Sequence, residues 1–398
     1  VRIVAIGDEL LCGHTLNTNA QVLSNALFQQ GVIPVSHRVV SDDPNEIRTV
    51  LLEELSFGHD VITTGGLGPT LDDLTKKVVS DLFDRRLVQN KELLRELEER
   101  YGEGFPTLFN QSIQPEGATL LSNQVGTAPG IFLEDEKLFP HARLFVLPGP
   151  PDEMKDVFFR TVLPRYFSGK SFSRYFHILK GKEHEIDPFL RSLSAKWPQL
   201  HIGIYPSYGL VGVRFFVEDS SLAAILEEVC VAFESRFRTQ LIEEATLEAA
   251  VYRILKEKKI TIGTAESCTA GGFMARLATI PGSSETCVGG VICYQNSVKE
   301  KLLRVPAELI ERCGPVSLEV TQKMAEGVRS LLGVDVAVAI SGYLGPTGGK
   351  APVGTVCATI LFQHKVFSKE FKFCGNRSSI LEKTIQLLLA CLVEQLAD

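Results

Sequence analysis

Ser267 lies in the run Ala265-Glu266-Ser267-Cys268-Thr269-Ala270-Gly271-Gly272. An apolar stretch at 260–265 precedes it, and the helix-spaced apolar residues Phe273, Met274 and Leu277 follow. The pattern predicts a strand, a sharp turn and a helix, with the serine at the turn. A hydroxyl placed there lies beside helix N-terminal N–H groups, where negative charge is stabilised. An accessible oxygen with donors nearby is what a serine nucleophile needs. The same residues also read as plain helix caps, because Ser and Thr are favoured at that position.

A nucleophile needs a base. Of eight histidines only His364 follows position 201, and it falls between two predicted strands, so a Ser-His-Asp triad is not expected. A lysine whose pKa is lowered by burial or by a neighbouring charge can serve instead. Tyr294 and Lys299 stand at the end of a predicted strand over 286–294, with Asn296 as a plausible cap of the next helix. By type alone they also read as a strand aromatic and a surface lysine. A glycine cluster, Gly342-Tyr343-Leu344-Gly345-Pro346-Thr347-Gly348-Gly349-Lys350, follows a predicted strand at 334–341. It is not a Walker A loop, since Ala351 follows the lysine, yet its N–H groups could cradle an anion. An ordinary tight loop has the same composition.

A second centre is suggested near the amino terminus. Thr63-Thr64-Gly65-Gly66-Leu67-Gly68-Pro69-Thr70-Leu71-Asp72-Asp73 follows a predicted strand and opens a helix. Leu71 stands where the third glycine of a dinucleotide fingerprint belongs, so that reading is excluded. The glycines still allow close approach of a phosphate, and Asp72 and Asp73 could hold a divalent cation. Gly7-Asp8-Glu9-Leu10 places two more carboxylates at the end of the first strand, and such carboxyl-end loops converge in parallel sheets. A single aspartate here would read as a helix-start residue favoured by the dipole; two acidic loops beside a glycine turn read as a site.

The elements that must position these groups alternate in the first third of the chain. Strands are predicted at 2–6, 33–40, 60–64 and 144–147, with helices at 19–30, 45–57 and from about 72, which implies a parallel sheet covered on both faces. Residues 172–241 read as β-α-β-β-α, a small α+β module. From about 243 a third unit opens with a helix at 246–258. Strands at 260–265, 286–294, 334–341, 353–362 and 365–373 follow, with helices at 319–332 and 379–394. With 398 residues, two or three domains are expected.

The net charge of −7 and the lack of a long basic run argue against nucleic acid as the main ligand. No apolar run approaches a membrane span. Nine cysteines without a CxxC pair fit buried reduced thiols in a cytoplasmic chain, not a zinc site. No leader-like stretch precedes the first strand; the chain begins at Val1, which leaves a removed leader open.

The carboxyl-terminal motifs, with Pro281-Gly282-Ser283-Ser284, Gly314-Pro315-Val316-Ser317 and Val353-Gly354-Thr355, resemble the carboxyl-terminal domain of the competence/damage-inducible CinA family over roughly 150 residues. The amino-terminal motifs, with Asn17-Thr18-Asn19, Asn123, Gly126-Thr127-Ala128-Pro129-Gly130 and Pro148-Gly149-Pro150-Pro151, resemble that family's molybdopterin-binding-like domain. The middle module resembles its KH-like linker, though Lys180-Gly181-Lys182-Glu183-His184-Glu185 lacks the GXXG loop that RNA-binding KH domains use. The resemblance implies an α/β chain of three domains: residues 1–168, 169–242 and 243–398.

It further implies nicotinamide mononucleotide deamidation at Ser267, assisted by Tyr294 and Lys299, with no cofactor. Glu266, Cys268, Thr269, Gly342, Gly345, Gly348, Gly349 and Arg377 would contact that substrate. In the amino-terminal domain it implies metal-dependent ADP-ribose hydrolysis. Asp8, Glu9, Asp72 and Asp73 would handle the metal there, and Gly65, Gly66, Gly68, Thr70, Asn19 and Gly149 the substrate. A homodimer is implied as well. Three positions depart from the family pattern: Ala270 replaces a usual glycine, Leu344 interrupts the glycine loop, and Leu381 stands where an arginine is common. Two other readings stay open: a nucleotide-binding competence or recombination protein with one or both sites silent, and a chain active only in its amino-terminal domain, on a pterin nucleotide.

Overall fold

The computed structural model describes residues 1–69, 73–102, 104, 106–169 and 172–397. The chain is mixed α/β and divides into two compact units, Val1–Ser171 and Phe172–Asp398.

The first unit is built on a six-stranded sheet in the order Ser36–Val40, Arg2–Ile6, Val61–Thr64, Arg143–Leu147, Gly130–Glu134, Thr119–Leu121. The first four strands are parallel and the last two antiparallel. Alternate residues of one strand enter opposite cores. Val4 and Ile6 pack with Ile47, Leu51 and Leu55 of the helix Pro44–Ser56, whereas Ile3 packs with Leu23 and Leu27 of the helix Thr18–Gln29. A sheet buried on both faces needs strands apolar on both sides, which explains the near-continuous runs VAI and VITT. The expected strand over 33–40 begins only at Ser36, and the helix expected from about 72 begins at Thr75.

The second unit holds two sheets. A four-stranded antiparallel sheet runs His201–Ser207, Leu210–Val217, Phe172–Leu179, Leu241–Ile242, with core contributions from the helices Glu183–Lys196 and Ala223–Phe237. A five-stranded sheet runs Cys287–Ile292, Ile262–Glu266, Val336–Gly342, Thr355–Phe362, Lys365–Lys372; its first three strands are parallel and its last two antiparallel. The helices Leu247–Lys258 and Arg377–Ala397 contribute to one core of this sheet and Leu318–Leu332 to the other. The strand Ile262–Glu266 is buried at every position and lies between two parallel neighbours. Its carboxyl end is thereby fixed where ligand crevices of such sheets form. Among the described residues no helix is long and apolar enough to cross a membrane.

Candidate active site

Ser267 follows the central strand directly, and its N–H extends the ladder by donating to the Ile340 carbonyl at 2.9 Å. The chain then turns. Ala270 N–H donates to the Ser267 carbonyl and Gly272 N–H to that of Thr269, with Ala270 at φ 52° and Gly271 at φ 94°. The helix starts at Gly272 and runs to Ala278. Its anchors Phe273 and Leu277 are buried, each contributing about 1.5–3 kcal/mol by leaving water.

The helix N-terminus is not left open for an oxyanion. Glu266, 1 % exposed, folds under the turn and accepts from the N–H groups of Gly271, Phe273 and Met274 at 2.9–3.0 Å, and from Thr264 Oγ1 at 3.1 Å. The expectation of Glu266 as a substrate contact therefore needs correcting: its carboxylate holds the turn and does not line the cleft. The amides of Cys268 and Thr269 take no part in the turn's own two bonds.

Lys299 reaches the serine from the helix Asn296–Leu303. It is 1 % exposed, and its Nζ lies 3.2 Å from Ser267 Oγ, 2.8 Å from the Cys293 carbonyl and 3.5 Å from that of Tyr294. Among the described residues no carboxylate pairs with this amine, and burial holds its pKa below the usual lysine range. Tyr294 lies past the end of its strand, which stops at Ile292. Its phenol oxygen accepts from Arg377 Nη2 at 2.7 Å, and Arg377 Nη1 donates to the Gly345 carbonyl at 3.0 Å. One guanidinium thus ties the tyrosine to the glycine loop. Cys268 also lines the cleft, but burial pushes its thiol up to about 12, so it stays protonated and is a poor nucleophile.

Ser267, Cys268, Tyr294, Lys299, Gly342, Gly345 and Arg377 all line one cleft of about 220 Å³. Gly342 is required there, since a Cβ would come 2.8 Å from Val356 Cγ2 and 3.1 Å from Cys268 Sγ. Gly348 and Gly349 lie outside the lining, and Thr347 takes that place. Lys350 turns away to the Glu311 and Arg312 carbonyls at the end of the helix Ala307–Cys313. Thr269 is buried with its Oγ1 unpartnered and does not line the cleft. Leu344 is 3 % exposed and packs into the core as well as lining the cleft, while Leu381 packs against that core.

In the first unit a cleft of about 520 Å³ opens at the carboxyl ends of the strands Arg2–Ile6, Val61–Thr64 and Arg143–Leu147. Gly65, Gly66, Gly68, Gly149, Glu9 and Asp73 line it. Asn19 does not; its Nδ2 donates to the Gly149 carbonyl at 2.8 Å and so fixes that loop. Asp8 also needs correcting as a lining carboxylate. Its Oδ1 accepts from the Asp42 N–H, and its own N–H donates to Asp42 Oδ2, so the pair ties two loops together. Thr70 and Asp72 lie outside the described residues. Among the described residues no three His, Cys, Asp or Glu converge as a metal-holding group.

Two family models match the chain: the CinA C-terminal domain over residues 244–396, and a probable molybdopterin binding domain over 2–167. A putative competence-damage inducible protein of Acetivibrio thermocellus is 34% identical, covering 96% of this chain and 95% of that protein. CinA-like proteins of Dictyoglomus thermophilum and Geobacter metallireducens are each 35% identical, covering 97% and 95% of this chain and 97% and 94% of their own lengths. The chain belongs to the CinA family. Within this CinA chain, sequence reasoning missed Asp42, Gln111 and Glu153, which also line the amino-terminal cleft. Asp42 follows the strand Ser36–Val40 just as Asp8 follows the first, a repeat of strand-end acidity that could have found it.

Proposed function

We propose that the carboxyl-terminal site hydrolyses the carboxamide of nicotinamide mononucleotide by serine acyl transfer. The observation that carries this reading is the buried Lys299 amine 3.2 Å from Ser267 Oγ. A neutral amine has two N–H donors and one lone pair. The Cys293 and Tyr294 carbonyls accept the two donors, which directs the lone pair at the serine hydroxyl. Lys299 then takes the Oγ proton as Oγ attacks the carboxamide carbon, and backbone N–H groups of the serine turn near Cys268 would hold the oxyanion. Collapse breaks the C–N bond, and the proton returns from Lys299 to the leaving ammonia. Water, activated the same way, releases nicotinate mononucleotide and restores the serine. Arg377 occupies a lone pair of the Tyr294 oxygen, which leaves the phenol proton for the substrate.

The amino-terminal cleft is proposed to hydrolyse ADP-ribose. Its carboxylates Glu9, Asp42, Asp73 and Glu153 are hard oxygen donors suited to a divalent cation. Such a cation would neutralise diphosphate charge. Incubation of the full chain with nicotinamide mononucleotide should release ammonia. That release should vanish in Ser267→Ala and survive in Asp73→Asn. Tight nucleotide binding without ammonia release would favour a silent binding protein.

A further inference from the structure

A carboxylate is built in under the nucleophile. Glu266 is buried, and its partners among the described residues, the N–H groups of Gly271, Phe273 and Met274 and the Thr264 hydroxyl, are all uncharged. They hold the anion in place without cancelling its charge. The main chain of the same residue reaches towards the base: the Glu266 carbonyl accepts from Cys293 N–H at 2.8 Å, and the Cys293 carbonyl accepts from Lys299 Nζ at 2.8 Å. The field of the carboxylate enters the cleft. Burial is the main cause of the raised Cys268 thiol, and the Glu266 charge pushes the same way, more strongly than either Arg377 or Lys299 pushes back.

A Cys268 thiolate and the carboxylate of an acid product are alike in being single anions beside Ser267, and charges are weakly screened in so buried a setting. The stages of the reaction differ in charge at this point. The substrate carboxamide is neutral. In the tetrahedral stage the oxyanion is matched by the proton that Lys299 has taken, so the two together are neutral. The acid product, with Lys299 again a neutral amine, carries a negative charge at Ser267 that nothing offsets, and the Glu266 field acts against it.

We propose that Glu266 is a specificity-determining residue: its buried charge makes the site hold the carboxamide nucleotide more tightly than the carboxylate product, which is thereby released. This rests on the nicotinamide mononucleotide reading above.

The test is calorimetry on the full chain carrying Ser267→Ala, which lacks the proposed nucleophile and so reports binding without turnover. Nicotinamide mononucleotide and nicotinate mononucleotide are titrated in turn at the pH of maximal wild-type kcat/KM, where the Lys299 amine is neutral. The acid should bind at least about fivefold more weakly than the amide. Adding Glu266→Gln should shrink that ratio at least about threefold, whereas Glu266→Asp, which keeps the charge, should leave it within about twofold. A merely loosened turn weakens both ligands together and leaves the ratio where it was. Acid bound as tightly as amide in Ser267→Ala overturns the inference, whether or not the Gln variant folds. A ratio that Glu266→Gln leaves unchanged overturns it too. If neither nucleotide binds, the nicotinamide mononucleotide reading fails and this inference with it.

Discussion

Replacing Lys299 by Met separates the chemistry of the proposed base from its packing. The two side chains have similar length, and the position is 1 % exposed, so the hydrophobic fit is kept. Loss of the amine leaves the Cys293 carbonyl without its 2.8 Å donor, at about 1–3 kcal/mol. Relief of the amine's burial, the cause of its lowered pKa, offsets part of this. The net change in stability should therefore stay within about 1–2 kcal/mol. The chemical loss is larger, because a positioned general base contributes about 10²–10⁴ in rate. The assay is ammonia release from nicotinamide mononucleotide between pH 6 and 10, with thermal unfolding run alongside.

The sign of the wild-type profile follows from the lowered pKa of Lys299. The active form is the neutral amine, so kcat/KM rises with pH, and its midpoint falls below the ordinary lysine value of about 10.4. Stability moves the same way. Because the folded pKa is below the unfolded one, the unfolded chain binds more protons between the two values, and stability rises with pH across that window. Lys299→Met should be slow and flat across the range. A variant that keeps activity within about threefold of wild type and the same rising limb would refute Lys299 as the base.

Other consequences follow from single contacts. Ala270→Gly should raise unfolding stability by up to about 1 kcal/mol in denaturant titration, since an L-residue at φ 52° costs about 1–2 kcal/mol and the freer unfolded glycine returns part of it. Gly342→Ala should destabilise by about 1–3 kcal/mol and depress ammonia release, because the new methyl drives Cys268 and Val356 away from the serine turn. Cys268→Ala should retain most deamidase activity. Iodoacetamide mapping by mass spectrometry should label the exposed Cys12 and Cys374 before the buried, protonated Cys268.

Much of this centre can be read from residue types in order. A buried β run ending in Glu-Ser-Cys-Thr, with glycines before an apolar helix, is enough to place Ser267 at a strand end. The lysine was a candidate by elimination of histidine. Its contact with Ser267 depends on parallel pairing of Ile262–Glu266 with Cys287–Ile292, a long-range register that local periodicity does not contain. Glu266 as a substrate contact came from the family resemblance alone. Alternation along a strand sends neighbours to opposite sides, and the carboxylate lies under the turn. Leu87–Gln89 pairs with Ile113–Pro115 in a ribbon too short and too exposed to show a period. In the first unit the topology, not the spacing, gathers Asp42 and Glu153 with Glu9 and Asp73, which lie tens of residues apart.

The central claim is that Ser267 Oγ carries the acyl group. Rapid-quench mass spectrometry of the full chain mixed with nicotinamide mononucleotide tests it directly, with Ser267→Ala run beside it. The account predicts an adduct of substrate less ammonia on the peptide holding Ser267, and neither adduct nor ammonia from the variant. Ammonia released by Ser267→Ala as fast as by the wild-type chain would contradict it.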